Sequence, residues 1–162
     1  MESTNTALFV VALVAGILLL QLLIWIPVSS WLRRRSREEV EALGRELEAK
    51  GETLVLGPEA ALYRGSNAGH GIARGNALIA LTNKRLLVRR IVGDPIEVRV
   101  GEIAGVRETK WFLGGMQGRR MHLVFRLPGG GELGVMLIDK QKHAEWLQDL
   151  RARFGEVSRV DA

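Results

Sequence analysis

A long apolar run near the N-terminus constrains this chain more than any other feature. Between Ala7 and Val28 there is no charged residue, and Gln21 is the only strongly polar side chain. As an α-helix at about 1.5 Å per residue, these 22 residues extend about 33 Å, enough to cross a hydrocarbon core of about 30 Å. Lipid offers no hydrogen-bond partner to a bare amide, so a single chain crosses only as a helix. The sequence therefore predicts a transmembrane helix at residues 7–28.

The flanks of this run predict its orientation. All 23 Lys and Arg residues follow Trp31, and none precedes the run. Basic residues on one flank keep that flank in the cytoplasm, and amphipathic rings favour the headgroup layer. We expect a single-pass, uncleaved anchor in the plasma membrane, with the N-terminus outside and the following domain in the cytoplasm. The side chains expected at the membrane surface are Trp25, Trp31, Arg33, Arg34, Arg35 and Arg37.

The part of the chain after the anchor is basic, because only Glu2 of the 18 acidic residues precedes the run. A basic domain beside a membrane predicts attraction to anionic lipid headgroups. Nucleic acid is a weaker expectation, because the basic residues are interspersed with acidic ones and no nucleic-acid motif is present. The chain has no cysteine, which excludes disulfides, thiol catalysis and cysteine-ligated metals.

Residues 29–50 are predicted to form a basic juxtamembrane segment and an amphipathic helix. Val40, Leu43 and Leu47 recur at helical spacing, and Gly51 is a stop signal. The narrow apolar stripe can pack on the following domain, pair with a second copy or act as a spacer. We expect the first, because a stripe left in water has no counterpart.

Residues 51–156 are predicted to form one domain, with 157–162 as a C-terminal tail. Alternating apolar residues and Gly-containing turns predict strands at 60–64, 76–82, 84–92, 96–100, 103–110, 121–127 and 132–137. Asp139 is a good N-cap for a final helix ending at Gly155. The apolar face of this helix comprises His143, Trp146, Leu147, Leu150 and Phe154. The fold class is mainly β, with antiparallel strands whose edges the final helix would cover.

The run from Ala80 to Val88, Ala-Leu-Thr-Asn-Lys-Arg-Leu-Leu-Val, is the most specific motif of this domain. Together with Ile96-x-Val98, Ile103-x-x-Val106 and the final helix bearing Trp146, it resembles bacterial PH-like domains and the related GRAM domains. The resemblance covers about Leu54 to Phe154. It implies a half-open β-barrel of about seven antiparallel strands, capped at one end by the C-terminal helix. It also implies a module that binds lipid headgroups or protein segments and has no catalysis of its own.

In PH domains that read phosphoinositides, the site lies at the open barrel end, between the first two hairpin loops. The matching loops here are Ser66–Gly75 and Val92–Pro95. Residues Asn76 to Leu81 contain no basic residue, unlike the lipid-binding pattern of that family, which argues against a specific inositol phosphate site and leaves nonspecific contact with anionic lipid open. A solvated basic rim is an equally open interpretation. The candidate lipid- or ligand-binding residues are Arg64, His70, Arg74, Arg89 and Arg90.

No catalytic, metal or cofactor site is predicted. The glycines from Gly69 to Gly75 have G-x-G-x-x-x-G spacing without a βαβ unit, which is not a dinucleotide fingerprint. The three histidines, His70, His122 and His143, are too far apart in sequence for metal-ligand spacing. There is no nucleophile elbow and no pair of catalytic carboxylates. We therefore expect a protein that is not an enzyme and has no cofactor.

Two functions remain open at this point. The first is a single-pass, membrane-anchored PH-like module on the cytosolic face that recruits a protein or contacts anionic lipid headgroups. The alternative is a structural or accessory subunit of a membrane protein complex, in which the anchor, the amphipathic helix and the barrel edge pack on partners. Ala12 and Gly16 form a small-x-x-x-small pair, which also allows a homo-oligomer.

Overall fold

The computed structural model describes residues 2–116, 118–155 and 158–160. Within these ranges the side chains of residues 2–12, 22, 28–33, 35–36 and 158–160 are not described. The chain divides into two compact units, Met1–Glu38 and Glu39–Ala162, which are treated separately below. Helix α1, Glu2–Lys50, contributes residues to both units.

The first unit is helical throughout its described residues. The predicted span at 7–28 lies partly outside the described side chains, which omit residues 7–12, 22 and 28. Among the residues that were described, we find no helix that is both long and apolar enough to cross a membrane.

The second unit begins with the last turns of α1, residues 39–50. The helix ends at Lys50, and Gly51 adopts the left-handed conformation with φ +58°. The amide of Glu52 donates a hydrogen bond to the carbonyl of Leu47 at 2.9 Å, which satisfies one of the last carbonyls of the helix. This confirms the predicted stop signal at Gly51.

An eight-stranded sheet forms most of this unit. Its strands are β1 Leu54–Ser66, β2 Gly75–Thr82, β3 Arg85–Arg90, β4 Ile96–Arg99, β5 Gly105–Thr109, β6 His122–Arg126, β7 Glu132–Leu137 and β8 Ser158–Val160. The order across the sheet is β4-β3-β2-β1-β7-β6-β5-β8, so it is an open sheet with β4 and β8 at its edges. Strands β1 to β7 pair antiparallel, and β8 pairs parallel with β5. The seven predicted antiparallel strands are confirmed, whereas β8 was predicted to be tail.

One face of the sheet carries the main hydrophobic core. Tyr63, Ile79, Phe125 and Leu133 are completely buried on this core face. Helix α2, Lys140–Phe154, buries Trp146 and Leu150 in the same cluster. The carboxylate of Asp139 accepts a hydrogen bond from the amide of Gln141 at 2.7 Å, as the predicted N-cap requires. The predicted final helix is confirmed, but it packs on the core face, and β8 covers the edge of β5.

The last turns of α1 cover part of the opposite, outer face. Leu43 and Leu47 of α1 are buried against Ala80 of β2 and Leu87 of β3. These two strand residues are paired with each other in the sheet and lie on the same face. Of the three arrangements considered for the apolar stripe, packing on the domain is therefore the one observed for Leu43 and Leu47, whereas Val40 is 38% exposed.

A buried arginine joins α1 to the same outer face. Arg85 of β3 is only 7% exposed and contacts three carboxylates. Its guanidinium lies 2.8 Å from Glu46 of α1, 3.0 Å from Glu52 and 2.5 Å from Glu97 of β4. Each carboxylate comes from a different segment of the chain, so this single side chain ties the helix, the following turn and the edge strand together.

Candidate functional site

Three of the loops at one end of the domain surround the candidate residues. Residues 67–74 join β1 to β2, and residues 91–95 join β3 to β4, so antiparallel pairing places both at the same end of the sheet. The loop from β5 to β6 starts at the other end but folds back over the outer face. There Phe112 occupies the space that a side chain on Gly134 of β7 would need. We call residues 67–74, 91–95 and 112–116 together the loop end.

Arg90 at the end of β3 holds two of these loops together. Its guanidinium carbon lies 5.5 Å from the ring centroid of Tyr63, within the range of a cation–π contact. Its Nε donates a hydrogen bond to the carbonyl of Asp94 at 2.8 Å. An ideal Cβ on Gly93 would lie 3.0 Å from this guanidinium, and one on Gly71 would lie 3.9 Å from it. Tyr63 in turn donates its hydroxyl hydrogen to the carbonyl of Gly71 at 2.7 Å.

A pair of arginines lies on the other side of residues 67–74. Arg64 is buried, and Arg74 is exposed and donates a hydrogen bond to the carbonyl of Leu113 at 2.5 Å. An ideal Cβ on Gly115 would lie 2.8 Å from Arg74 Nη1 and 2.9 Å from Arg64 Nη2. Both nitrogens lie close to this one point, so the distance between Arg74 Nη1 and Arg64 Nη2 is at most the sum of the two distances. Together with Ile72 and Leu113, both arginines line a cavity of about 320 Å³.

The electrostatics of this arginine pair favour an anion. Burial lowers the pKa of Arg64, and the nearby charge of Arg74 lowers it further. Arginine nevertheless remains protonated in proteins, so both positive charges persist. The guanidinium group presents its N–H donors in a planar fork that matches the oxygens of a phosphate or carboxylate. An oxyanion in this cavity would be attracted by both charges.

His122 lies completely buried on the outer face, close to the arginine pair. Its Nδ1 is 3.1 Å from the carbonyl of Thr109, so Nδ1 carries the hydrogen, and Nε2 has no hydrogen-bond partner among the described residues. Burial lowers the pKa of His122 below the usual 6.5, and the charges of Arg64 and Arg74 lower it further. The imidazole is therefore neutral at pH 7.

We expect the free energy of unfolding to decrease as the pH falls below 6.5, because the unfolded chain then binds a proton that the folded His122 excludes. Because the pKa of His122 is lower in the folded state, its contribution to the free energy of unfolding is fully present above pH 6.5 and is lost progressively below that pH. The slope from one such group cannot exceed about 1.4 kcal/mol per pH unit. Urea unfolding of the full chain between pH 7 and pH 5 measures it. His122→Gln should flatten the slope and His70→Gln should not; equal slopes in all three proteins would contradict the assignment.

Four of the five candidate ligand residues lie at or beside the loop end. Arg64, Arg74 and Arg90 occupy the positions just described. His70 is half-buried in the loop between β1 and β2, where its carbonyl lies 3.4 Å from the Tyr63 hydroxyl. These four residues flank the same loop, with Arg64 and Arg74 on one side and Arg90 on the other.

Arg89 does not join them. It pairs with two carboxylates of α1, with Glu39 at 3.5 Å and with Glu46. Successive side chains of a strand point to opposite faces, so Arg89 lies on the outer face beneath α1 while Arg90 lies on the core face. The sequence-based placement of Arg89 beside Arg90 at the rim is therefore wrong, and Arg89 belongs to the contact between helix and sheet.

The sequence analysis also missed the apolar part of the loop end. Ile72 is 76% exposed and Val92 is 83% exposed, the two highest values among the large hydrophobic residues described in the domain. Met116 is exposed as well. The sequence does contain a signal for these exposed residues. In Gly71-Ile72 and Val92-Gly93, an isolated aliphatic residue adjoins a glycine within a turn.

Of the residues expected at the membrane surface, three have described side chains. Trp25, Arg34 and Arg37 are exposed, and Arg34 lies 3.3 Å from Glu38, one turn further along the helix. The side chains of the other three, Trp31, Arg33 and Arg35, lie outside the described residues.

A second basic cavity, of about 290 Å³, lies near the opposite end of the sheet, where β7 ends and α2 begins. Its basic residues are Arg119, Arg120 and Lys140. Arg120 donates a hydrogen bond to the carbonyl of Ile138 at 2.8 Å, whereas Arg119 is exposed. The lining of this cavity includes neither Arg64 nor Arg74, so its exposed Arg119 provides a control with a charge of the same sign.

The described residues at the loop end have the properties of a binding surface: paired guanidinium groups, a cavity and exposed aliphatic side chains. Among the described residues, no group of three or more His, Cys, Asp or Glu side chains could hold a metal ion. Known proteins give no independent assignment, because no protein-family model matches the chain and no curated protein matches it.

Proposed function

We propose that this chain is a single-pass membrane protein whose β-sheet domain is a noncatalytic, PH-like module that contacts anionic lipid headgroups on the cytosolic face of the plasma membrane. The apolar run from Ala7 to Val28 supports the anchor, and the cluster of basic residues after it supports the orientation. The open antiparallel sheet with α2 against its core face is compatible with a half-open barrel.

The observation that carries the proposed binding is the arginine pair, Arg64 and Arg74, facing one cavity at the loop end. The planar N–H forks of the two guanidinium groups match the oxygens of a phosphate, and both groups line the same cavity. Lipid phosphates are present at high density at a membrane surface, where each basic residue contributes about 1 kcal/mol of attraction. A domain tethered to the same membrane meets this ligand without a separate recruitment step.

Flotation tests the binding. The full chain, held in nanodiscs of phosphatidylcholine, is mixed with vesicles that contain or lack phosphatidylserine. We expect co-flotation with the anionic vesicles only, and binding that weakens as salt rises. Arg74→Ala should weaken it about fivefold, which corresponds to about 1 kcal/mol. Arg119→Ala, which removes an exposed positive charge near the other cavity, should have a much smaller effect.

Three results would contradict the proposal. Equal losses for Arg74→Ala and Arg119→Ala would indicate diffuse attraction to the whole domain in place of a site. No binding to any anionic vesicle, together with a protein that co-purifies stably in detergent, would favour the accessory-subunit alternative. Digestion of the region after Trp31 by protease added to intact cells would contradict the orientation.

A further inference from the structure

Strand β4 lies at an edge of the sheet and is hydrogen-bonded to β3 on one side. In the described part of the chain, no strand pairs with its other side, which we call the free side. An unpaired edge offers backbone N–H and C=O groups to any strand that lies beside it. The space just beyond the end of β4 is open, because an ideal Cβ on Gly101 would meet no atom within 4 Å.

The backbone groups on the free side belong to Glu97 and Arg99. The amide of Val100 donates a hydrogen bond to the carbonyl of Lys84 at 2.8 Å, so the backbone of Val100 is directed towards β3. In an antiparallel ladder this direction alternates along the strand, so the backbone groups of Glu97 and Arg99 are directed away from β3. The Arg99 amide accordingly lies 3.4 Å from the Glu102 carboxylate, a long contact that a partner strand can replace.

The side chains of Glu97 and Arg99 carry opposite charges and are both exposed. Arg99 is paired with Arg85 in the sheet, so both exposed side chains lie on the outer face, while Val98 between them is buried in the core. Glu97 contacts Arg85, yet 45% of its side chain remains exposed. Along the free side the sequence is Glu-Val-Arg, and an antiparallel copy presents Arg-Val-Glu opposite it.

We propose that two copies of this chain pair through β4, antiparallel and centred on Val98, to form one continuous sheet. In this register Glu97 of each copy faces Arg99 of the other. Each such pair exchanges both backbone N–H···O bonds and brings opposite charges together on the outer face. A two-fold axis through the facing Val98 residues relates the copies, as in most homodimers.

The charges specify both the register and the partner. Registers centred on Glu97 or on Arg99 would place like charges directly opposite each other, which is destabilising. A strand of another protein would need the same acidic and basic residues in the same order, whereas a second copy always has them. Confinement of both chains to one membrane, as proposed above, would favour so short a pairing by raising the local concentration.

Charge reversal tests the register. Full chains labelled at the N-terminus with a donor or an acceptor fluorophore are reconstituted together in phosphatidylcholine vesicles, and energy transfer measures their association. Arg99→Glu and Glu97→Arg should each weaken association about tenfold or more, because both symmetric contacts then join like charges. A mixture of these two variants should recover association, because every contact again joins opposite charges. Arg119→Glu makes the same charge change outside β4 and should not weaken association.

Arg99→Pro tests the backbone pairing. Arg99 has φ −63°, which proline adopts without strain, and its amide is directed away from β3. The variant should therefore keep the thermal midpoint of the wild type and lose association to the level of Arg99→Glu.

A disulfide tests the facing residues directly, since the chain contains no cysteine. Facing residues that do not exchange hydrogen bonds have Cα atoms about 4.5 Å apart, within the range of a disulfide. Oxidation of Val98→Cys should therefore give a covalent dimer. Ile138→Cys, at an exposed position outside β4, should give none.

Each outcome supports the inference or overturns it. Association that survives Arg99→Glu and Arg99→Pro is held by another surface and overturns it, as does absence of energy transfer between wild-type chains. Equal crosslinking of Val98→Cys and Ile138→Cys indicates random collision and also overturns it. If Glu97→Arg unfolds because it faces Arg85, Arg99→Pro and Val98→Cys decide. The lipid contact is measured separately with Arg74→Ala, so either proposal can fail without the other.

Discussion

Arg85→Met is expected to lower the free energy of unfolding by about 3 kcal/mol, because it leaves the carboxylate of Glu52, whose side chain is only 7% exposed, without the guanidinium hydrogen-bonded to it. Burial raises the pKa of Glu52, but hydrogen bonds from Arg85 and Thr82 and the charges of nearby basic residues outweigh it and hold the pKa below its usual 4.5. Without Arg85, that carboxylate is buried beside Glu46 and Glu97, which it then repels. The contact of α1 with the sheet should loosen first.

Thermal unfolding of the full chain in detergent measures this loss. Lys84→Ala, at the exposed neighbouring position, is the control and should lower the midpoint much less, because Lys84 acts on Glu52 only as a solvent-screened charge. Lowering the pH towards 4.5 should shrink the difference between Arg85→Met and the wild type, because protonated carboxylates no longer leave buried charges. The role assigned to Arg85 would be disproved by a midpoint equal to that of Lys84→Ala.

The parts of the fold that the sequence predicts well are those with a regular apolar period. Strand β7 is found at Glu132–Leu137, as predicted, and α2 begins after Asp139 and ends before Gly155. Strand β1 begins at Leu54, six residues earlier than predicted, because irregular pairing between Leu54 and Glu59 interrupts the alternation there. The three residues of β8 are too few for any period to be recognised.

Of the candidate ligand residues, Arg89 is the one that the structure places elsewhere, and the reason is simple. Arg89 and Arg90 are adjacent in sequence, and both directly precede the loop between β3 and β4. In a strand, adjacency places side chains on opposite faces, whereas Arg85 and Arg89, four residues apart, share one face. Side chains of β3 alternate between the two faces of the sheet, so Arg89 shares the outer face with Arg85 and Leu87. Because the apolar stripe of α1 packs on that face, the strand pattern is sufficient to assign Arg89 to the contact with the helix.

The fold-back of residues 112–116 had no signal in the local sequence. It depends on Phe112 packing on Gly134, two residues that are distant in the chain and are brought together by the pairing of β5, β6 and β7. The same contact brings Gly115 beside Arg64 and Arg74. The cavity at the loop end is thus a consequence of tertiary packing, and residue patterns indicated only the basic half of it.

Gly134→Ala tests this dependence. An ideal Cβ at this position would lie closer than 3.0 Å to the ring of Phe112, a separation that real Cβ atoms essentially never show. We expect a loss of about 1–3 kcal/mol in the free energy of unfolding, as for other overpacked cores. Gly101→Ala is the matched control, because a Cβ there meets no atom within 4 Å.

The combination with Phe112→Ala distinguishes a local clash from a general weakening of β7. Phe112→Ala alone should destabilise by removing a buried ring, but it also removes the atoms that the new Cβ would meet. The loss in the double variant should therefore be clearly smaller than the sum of the two single losses. Gly134→Ala alone should also weaken binding to anionic vesicles, since displacement of the loop releases Arg74 from the Leu113 carbonyl. Additive losses would show that the ring and the glycine are not coupled, and the loop end would then need another support.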